Sequence, residues 1–160
     1  SDTLEFKKSI SHRNNKFLTQ ILKRNSISIH VRLKDYVDRF SQIYSTLSNT
    51  YYDDCINYFI NNVTEPVFFV FSDDVAKAKQ MFLYKHKAKF IFIDNKGTDW
   101  EHLFLMSQCK HNIIANSTYS WWGAFLNKNK DKTVIAPQTW SNPEFINVAE
   151  MLPSDWMVFP

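Results

Sequence analysis

The segment Asn112-Ile113-Ile114-Ala115-Asn116-Ser117-Thr118 decides the fold, because it joins an apolar run directly to a helical pattern. A short apolar run without alternation is typical of a strand buried on both faces, as in a parallel sheet. The pattern of residues 117–127 predicts a helix, and Ser117 is the expected N-cap residue. The segment therefore predicts a strand, a polar turn and a helix in succession.

The same unit recurs on both sides of this segment. Apolar runs predict four further strands, and helical patterns lie between them. Strands that alternate with helices predict right-handed crossovers, and hence an α/β fold with a doubly wound parallel sheet. The predicted strands cover residues 28–31, 67–71, 90–93, 112–115 and 133–136, and the predicted helices cover residues 52–61, 74–86, 100–107 and 117–127.

The 160 residues predict a single lobe, residues 1–160, with a motif-bearing core at 26–142 and a C-terminal tail at 143–160. Residues 1–25 predict an amphipathic leading helix, and residues 33–50 predict a long loop of the kind that is usually functional. Four prolines after residue 136 predict that the end of the chain wraps around the surface.

The composition excludes several classes of protein. The chain has only two glycines, Gly97 and Gly123, so neither a P-loop nor a dinucleotide fingerprint can be drawn from it. The net charge of +3 is too small to indicate nucleic acid, but it suits an anionic small ligand. Cys55 and Cys109 are 54 positions apart and predict buried free thiols in a reducing cytoplasm. No run approaches the length of a membrane span, and no signal peptide is visible.

Polar residues follow the predicted strands, at the edge where open α/β sheets bind ligands. Arg32 ends the first strand, Asp73 ends the second, and Asn116 begins the turn after the fourth. His30 precedes Arg32 by two positions, so both side chains are expected on one face. An arginine near a hydroxyl-rich helix N-terminus predicts a diphosphate site that needs neither glycine nor metal.

Two other motifs have mainly structural interpretations. The pair Trp121-Trp122 is expected to pack in the core, with Gly123 allowing close approach, and stacking on a base or sugar is the second interpretation. The basic segment 85–89 is expected to be a solvated helix end.

Several blocks of the sequence resemble the alpha-1,2-fucosyltransferases of glycosyltransferase family 11. The residues His30-Val31-Arg32, followed by Asp35-Tyr36-Val37, resemble the first motif of that family. Phe69-Val70-Phe71-Ser72-Asp73-Asp74 resembles the second block, and residues 105–124 resemble the third and longest. The resemblance extends over residues 26–142.

The resemblance implies a Rossmann-like donor-binding lobe of a GT-B glycosyltransferase. Members of the family transfer L-fucose from GDP-fucose, with inversion and without a metal, to O2 of a galactose in an oligosaccharide. They are nearly twice as long as this chain, which implies that an N-terminal acceptor lobe is missing. The chain departs from the motif at Leu33 and Lys34, and His102 replaces an Asp that looks like the guanine reader in related enzymes.

The site expected from these observations has two parts. The catalytic residues are Arg32, which stabilises charge on the departing diphosphate, and Asp35, the nearest motif carboxylate. The expected partners are a GDP-sugar and a galactose-terminated glycan, with no nucleic acid. The expected location is the cytoplasm of a bacterium, with at most peripheral association at the inner face of the membrane. The expected donor-binding residues are His30, Arg32, Lys34, Asp73, Asn116, Ser117, Thr118 and Ser120, with no metal and no further cofactor.

Other functions remain open at this point. A non-catalytic nucleotide-sugar-binding module, or a transferase that uses a different GDP-sugar, fits the same residues. A phosphoacceptor receiver is disfavoured, because Arg32 and Pro137 stand where that class places acids and a lysine. A structural or interaction domain would use the surplus of aromatic residues.

Overall fold

The computed structural model describes residues 9–34, 47–83, 85–140 and 148–160. The predicted strands and helices have counterparts there, although their bounds differ from the sequence-based ones. Residues 1–8 of the predicted leading helix and residues 35–46 of the predicted loop lie outside the described residues. The strands are β1 (Asn25–Val31), β2 (Pro66–Ser72), β3 (Lys89–Phe92), β4 (His111–Ile113), β5 (Val134–Pro137) and β6 (Met157–Phe159). The helices are α1 (His12–Leu22), α2 (Asn49–Asn62), α3 (Val75–Phe82), α4 (Asp99–Gln108), α5 (Thr118–Phe125) and α6 (Val148–Met151).

The strands of the described residues form one open sheet in the order β3-β2-β1-β4-β5-β6. Every pair of neighbours is parallel, so the predicted Rossmann-like α/β fold is confirmed. The chain builds outward from β1 to β3 on one side and then resumes from β4 on the other. The reversal between β1 and β4 is a topological switch point, where sheets of this kind bind their ligands.

The sheet separates two main apolar clusters. Ile27 and Ile29 of β1 pack with Tyr52, Cys55 and Phe59, which lie on the buried face of α2 as the helical pattern predicts. On the opposite face, α1 and α4 cover alternate residues of β2. Strands β1 and β2 are therefore buried on both faces, as is typical of central strands in a parallel sheet.

Alternation along β1 decides which side chains face α4. Ile27, Ile29 and Val31 join the cluster beneath α2. Ser28 and His30 have the opposite parity and therefore point to the side covered by α1 and α4. This parity brings His30 to the carboxyl edge on the same side as helix α4.

The tail was wrongly predicted to be only a surface wrap. Its last residues form β6, which extends the sheet by pairing with β5 from Ile135↔Met157 to Pro137↔Phe159. Trp156 is buried against Trp140 in a third apolar cluster. A three-residue strand flanked by prolines gives no periodic signal, so only the pairing partner reveals it.

The basic segment 85–89 was wrongly assigned to a helix end. Helix α3 ends at Phe82, because Leu83 has an extended backbone. Lys85 and His86 both pair with the carboxylate of Asp53 on α2, and Lys89 begins β3. These contacts therefore connect α2 to the segment that precedes β3.

The two cysteines are buried free thiols, as the sequence predicts. Cys55 and Cys109 are buried and free, and burial raises the pKa of both thiols. Gly123 gives α5 close access to α4, because a Cβ there would lie 3.1 Å from the Met106 Cβ. Among the described residues, no helix combines the length and apolar character that crossing a bilayer requires.

Candidate donor site at the carboxyl edge of the sheet

A cleft of about 370 Å³ opens at the carboxyl ends of β1 and β2. Its walls come from these strand ends, from the segment between β3 and α4, and from the first turns of α4 and α5. The cleft therefore joins parts of the chain that are up to 89 positions apart. Its lining residues are His30, Arg32, Phe71, Ser72, Asp73, Asn95, Gly97, Asp99, His102 and Tyr119.

The Arg32 guanidinium crosses the switch point between β1 and β4. Its Nη1 donates a hydrogen bond to the Ser117 Oγ at 3.2 Å. Ser117 is the N-cap residue of α5, as predicted, although its hydroxyl makes no capping hydrogen bond. The prediction that Arg32 and the start of α5 form one site is thus supported by a direct contact.

Asp73 holds the backbone that follows Arg32. Its two carboxylate oxygens accept hydrogen bonds from the backbone N–H groups of Leu33, at 2.7 Å, and Lys34, at 2.9 Å. Lys34 itself is exposed at the rim. Asp73 therefore lies in the cleft as expected, and its carboxylate accepts hydrogen bonds from two backbone N–H groups and from the Ser72 hydroxyl.

His30 is a neutral group in the wall of the cleft. Burial lowers the pKa of His30 to about 4, and the nearby Arg32 charge acts in the same direction. Its Nδ1 is buried without a hydrogen-bond partner among the described residues. The Tyr119 ring lies beside it, with 5.5 Å between ring centroids. An uncharged imidazole of this kind can donate or accept a hydrogen bond from a ligand.

The other predicted residues of the α5 turn are used differently. The Asn116 Nδ2 donates to the Trp140 backbone oxygen at 3.0 Å, and the Ser120 Oγ accepts from the Ala115 N–H at 3.0 Å. Both side chains are buried and neither lines the cleft. Thr118 is exposed at the first position of α5. Donor contact by these three residues stays a prediction, as does the role of Asp35, which lies outside the described residues.

Sequence reasoning missed the wall contributed by α4 and the segment before it. The Tyr119 hydroxyl donates to the Asp99 backbone oxygen at 2.5 Å, which closes one side of the cleft. A Cβ at Gly97 would lie 2.6 Å from both the Asn14 Nδ2 and the His102 Nε2. These groups come from separate segments, so no local pattern identifies them. The departure at His102 was the one available signal.

The tryptophan pair divides into one packed and one exposed ring. Trp121 stacks on Phe125 at 4.6 Å and packs against Trp156. Its Nε1 donates to the Met151 backbone oxygen at 3.0 Å. Trp122 is 41% exposed and does not line the cleft. Core packing thus describes Trp121, whereas Trp122 is exposed away from the cleft.

A larger cleft, of about 740 Å³, lies near the amino ends of β1 and β4. Beneath it, Asn112 donates to the Ser28 hydroxyl and the Met106 backbone oxygen, at 2.7 and 2.9 Å. The Asn127 side chain donates to the Asn112 Oδ1 at 2.8 Å and to the Cys109 backbone oxygen at 2.7 Å. This network is structural, since its members satisfy one another.

The fold is Rossmann-like, and the cleft at its switch point contains the positive charge of Arg32. The chain belongs to the family described as "Glycosyl transferase family 11", whose model matches residues 1–159. The family resemblance of the sequence is thereby confirmed.

Three relatives show the range of this family. The chain is 41% identical to the O-antigen biosynthesis glycosyltransferase WbnK of Escherichia coli, over 72% of this chain and 39% of the relative. It is 39% identical to an alpha-1,2-colitosyltransferase of Escherichia coli, over 83% of this chain and 47% of the relative. It is 26% identical to human galactoside alpha-(1,2)-fucosyltransferase 1, over 78% and 35%. The chain spans less than half the length of each relative.

Proposed function

We propose that this chain is the donor-binding lobe of a GT-B alpha-1,2-glycosyltransferase. It binds a GDP-sugar and presents the sugar for transfer, with inversion, to O2 of a galactose-terminated glycan. The acceptor lobe belongs to a separate, N-terminal part of a longer protein. No metal is assigned to the reaction, and any contact with the inner face of a bacterial membrane is peripheral.

One observation carries this proposal: Arg32 and Ser117 meet across the switch point at the cleft. A guanidinium offers paired N–H donors that match the oxygens of a phosphate. The start of α5 lies beside it, and a helix N-terminus favours an anion. Cation, hydroxyl and helix end therefore converge where a diphosphate needs them.

The mechanism follows from where charge develops. As the bond from the sugar to the diphosphate breaks, negative charge grows on the departing oxygen. Arg32 stabilises that charge more strongly in the transition state than in the ground state, which lowers the barrier. Lys34 supplies a second positive charge at the rim, and His30 remains neutral above about pH 4 because of its lowered pKa. Asp35 is assigned either the base or proton path for the acceptor hydroxyl or the orientation of Arg32 or the loop.

The donor sugar is the less determined part of the proposal. One relative is named for colitosyl transfer and another for fucosyl transfer, both with alpha-1,2 linkage. A GDP-sugar other than GDP-fucose is therefore the second candidate. His102 lies in the wall of the cleft, where the family resemblance leads one to expect an Asp. The selectivity of the site for the guanine base is therefore tested alongside the sugar.

A thermal-shift titration with GDP, GDP-fucose, GDP-mannose, UDP and UDP-glucose tests the proposal on this chain. A ligand that binds only the folded state raises the melting temperature in proportion to ln(1 + [L]/Kd). We expect GDP and at least one GDP-sugar to stabilise the chain, and the UDP ligands to do so less. Stabilisation by GDP-sugars without transfer by the longer protein would favour a non-catalytic binding module. No shift with any guanine ligand would overturn the donor-site assignment.

A further inference from the structure

A carboxylate in the wall of an anion-binding cleft requires an explanation. Asp73 lines the same cleft as Arg32, and a negative charge there opposes the approach of a diphosphate. A donor-binding role for Asp73 through direct contact with phosphate is therefore unfavourable. The geometry of its hydrogen bonds indicates another role.

We infer that Asp73 is a positioning residue that acts through Arg32. This inference rests on the proposed function, because it concerns how the diphosphate cation is presented. Asp73 clamps the two backbone N–H groups that immediately follow Arg32, and so fixes the chain direction at the point where β1 ends. The carboxylate contributes to binding by geometry and not by contact with the ligand.

Two independent ties define the position of Arg32. At the side-chain end, the guanidinium contacts the Ser117 hydroxyl. At the backbone end, the carboxylate of Asp73 receives one hydrogen bond on each oxygen, from Leu33 and from Lys34. Hydrogen bonds to an ionised acceptor are shorter and stronger than neutral ones, so this clamp restrains the strand end. An arginine held at both ends loses less side-chain entropy when it binds a ligand.

Neighbouring residues hold in place the segment that contains Asp73, after the end of β2. The Asp74 N–H donates to the Ser72 hydroxyl at 3.0 Å, and the Asn95 amide donates to the Asp73 backbone oxygen at 3.3 Å. The segments that follow β1, β2 and β3 are therefore linked through one residue, Asp73, by its carboxylate and its backbone oxygen. The carboxylate accepts one N–H on each oxygen, and its Oδ1 also accepts from the Ser72 hydroxyl at 3.5 Å.

The adjacent residue provides a matched control. Asp74 has the same charge one position further on, and its Oδ1 accepts from the Lys77 N–H to cap α3. Asp73→Asn leaves one amide oxygen for two N–H donors, so one of them loses its acceptor. Asp74→Asn keeps a good N-cap and leaves the clamp intact. Both variants remove one negative charge, so charge alone cannot distinguish them.

The experiment is a double-mutant cycle on the full chain with GDP and with inorganic pyrophosphate, measured by calorimetry. We expect Asp73→Asn to weaken both ligands about tenfold and Asp74→Asn to leave them within twofold. In an Arg32→Ala background, Asp73→Asn should cause no further loss, because residues that act as a unit are not additive. Additive losses in the cycle, or tighter binding by Asp73→Asn through relief of repulsion, would overturn the inference.

A second readout covers the case of variants that fold poorly or ligands that do not bind. Amide NMR of the ligand-free chain should show the Leu33 and Lys34 resonances shifting upfield in Asp73→Asn, with Asp74→Asn unchanged at both. Asp73→Glu keeps the charge but lengthens the side chain, and should lose ligand affinity in the same sense. If the wild type binds neither ligand, the proposed function fails, and unchanged Leu33 and Lys34 amides would separately refute the clamp.

Discussion

The two edges of the sheet contain similar polar side chains in opposite states of hydrogen bonding. At the amino edge, Asn112, Asn127 and Ser28 are buried and bonded to one another. At the carboxyl edge, His30 Nδ1, His102 Nε2 and both amide atoms of Asn14 are buried without partners among the described residues. The amino edge has the larger cleft, of about 740 Å³ against about 370 Å³.

The comparison shows that cleft size is the weaker guide to function. Buried polar groups in native proteins are nearly always paired, so unpaired groups mark places where the fold gives up stability. Paired asparagines hold the amino edge together and leave a ligand little to gain. The carboxyl edge combines unpaired groups with Arg32, and it is the edge that can gain from a ligand.

The largest expected effect is on stability at the amino edge. Asn112→Ala removes the partner of the Ser28 hydroxyl, the Met106 carbonyl and one Asn127 donor bond. We expect a loss of about 4 kcal/mol in the free energy of unfolding, because several buried groups are left unpaired and a cavity is created. Urea unfolding measures it, with the exposed Asn61→Ala as control. A loss below about 1 kcal/mol would show that this edge is not a structural network.

The next largest effect is on binding at the carboxyl edge. Arg32→Ala should weaken GDP about 100-fold, as expected when a charged phosphate contact is lost, and should change the free energy of unfolding by less than about 1 kcal/mol. Arg24→Ala, at the opposite end of β1, is the matched control and should leave GDP affinity within about twofold. Calorimetry measures both. GDP affinity retained within about threefold in Arg32→Ala would remove the distinction between the edges.

A pH-dependent effect should also arise at the carboxyl edge. The pKa of His30 falls from 6.5 in the unfolded chain to about 4 in the fold. The unfolded state therefore binds more protons between these values, so stability falls as the pH decreases through this window. Between pH 7 and pH 5 the contribution of His30 is about 2 kcal/mol.

The test compares the pH profile of unfolding in wild type, His30→Phe and the exposed His12→Phe. His30→Phe should have a shallower decline from pH 7 to pH 5, whereas His12→Phe should follow the wild type. Equal slopes in all three proteins would mean that His30 is protonated in the folded protein. A protonated His30 would then add one positive charge to the wall of the cleft.

The smallest expected effect lies behind the cleft, at Glu101. Hydrogen bonds from Ser11 and Thr98 lower the pKa of Glu101 to about 2 and tie the start of α1 to α4. Its contribution to stability is complete above pH 4.5 and is lost as the pH falls toward 2. We expect Glu101→Gln to cost about 1 kcal/mol at pH 7 and nothing at pH 2. The exposed Glu65→Gln is the control, and an unchanged difference between pH 7 and pH 2 would contradict the assignment.

The parallel sheet was predictable because its signals are local. Strand β2 is a nearly continuous apolar run, and β1 alternates apolar and polar residues. The spacing of two positions between His30 and Arg32, at the end of β1, predicted that both lie on one side. Strand β6 was not predictable, because three residues beside prolines become a strand only when β5 offers an edge. The end of α3 was missed for a similar reason, since Asp53 on another helix pairs with the residues that follow it.

The candidate site was predicted in part. The meeting of Arg32 with Ser117 follows from strand ends sharing one edge of the sheet. The uses of Asn116 and Ser120 did not follow, because polar residues of a turn can bond to the backbone as readily as to a ligand. The close packing of Gly97 against His102 and Asn14 joins distant segments, which no periodicity encodes.

The contact between Arg32 and Ser117 also affects how this site can change in evolution. In a glycine-rich phosphate loop, the donors are backbone N–H groups, which persist through most substitutions. In the proposed site, the hydrogen-bond donors are the side chains of Arg32 and Ser117. A single codon change can therefore remove, weaken or replace each of them independently. Such a site can change in small steps toward a new sugar nucleotide while the backbone stays the same. The same property allows one mutation to inactivate it.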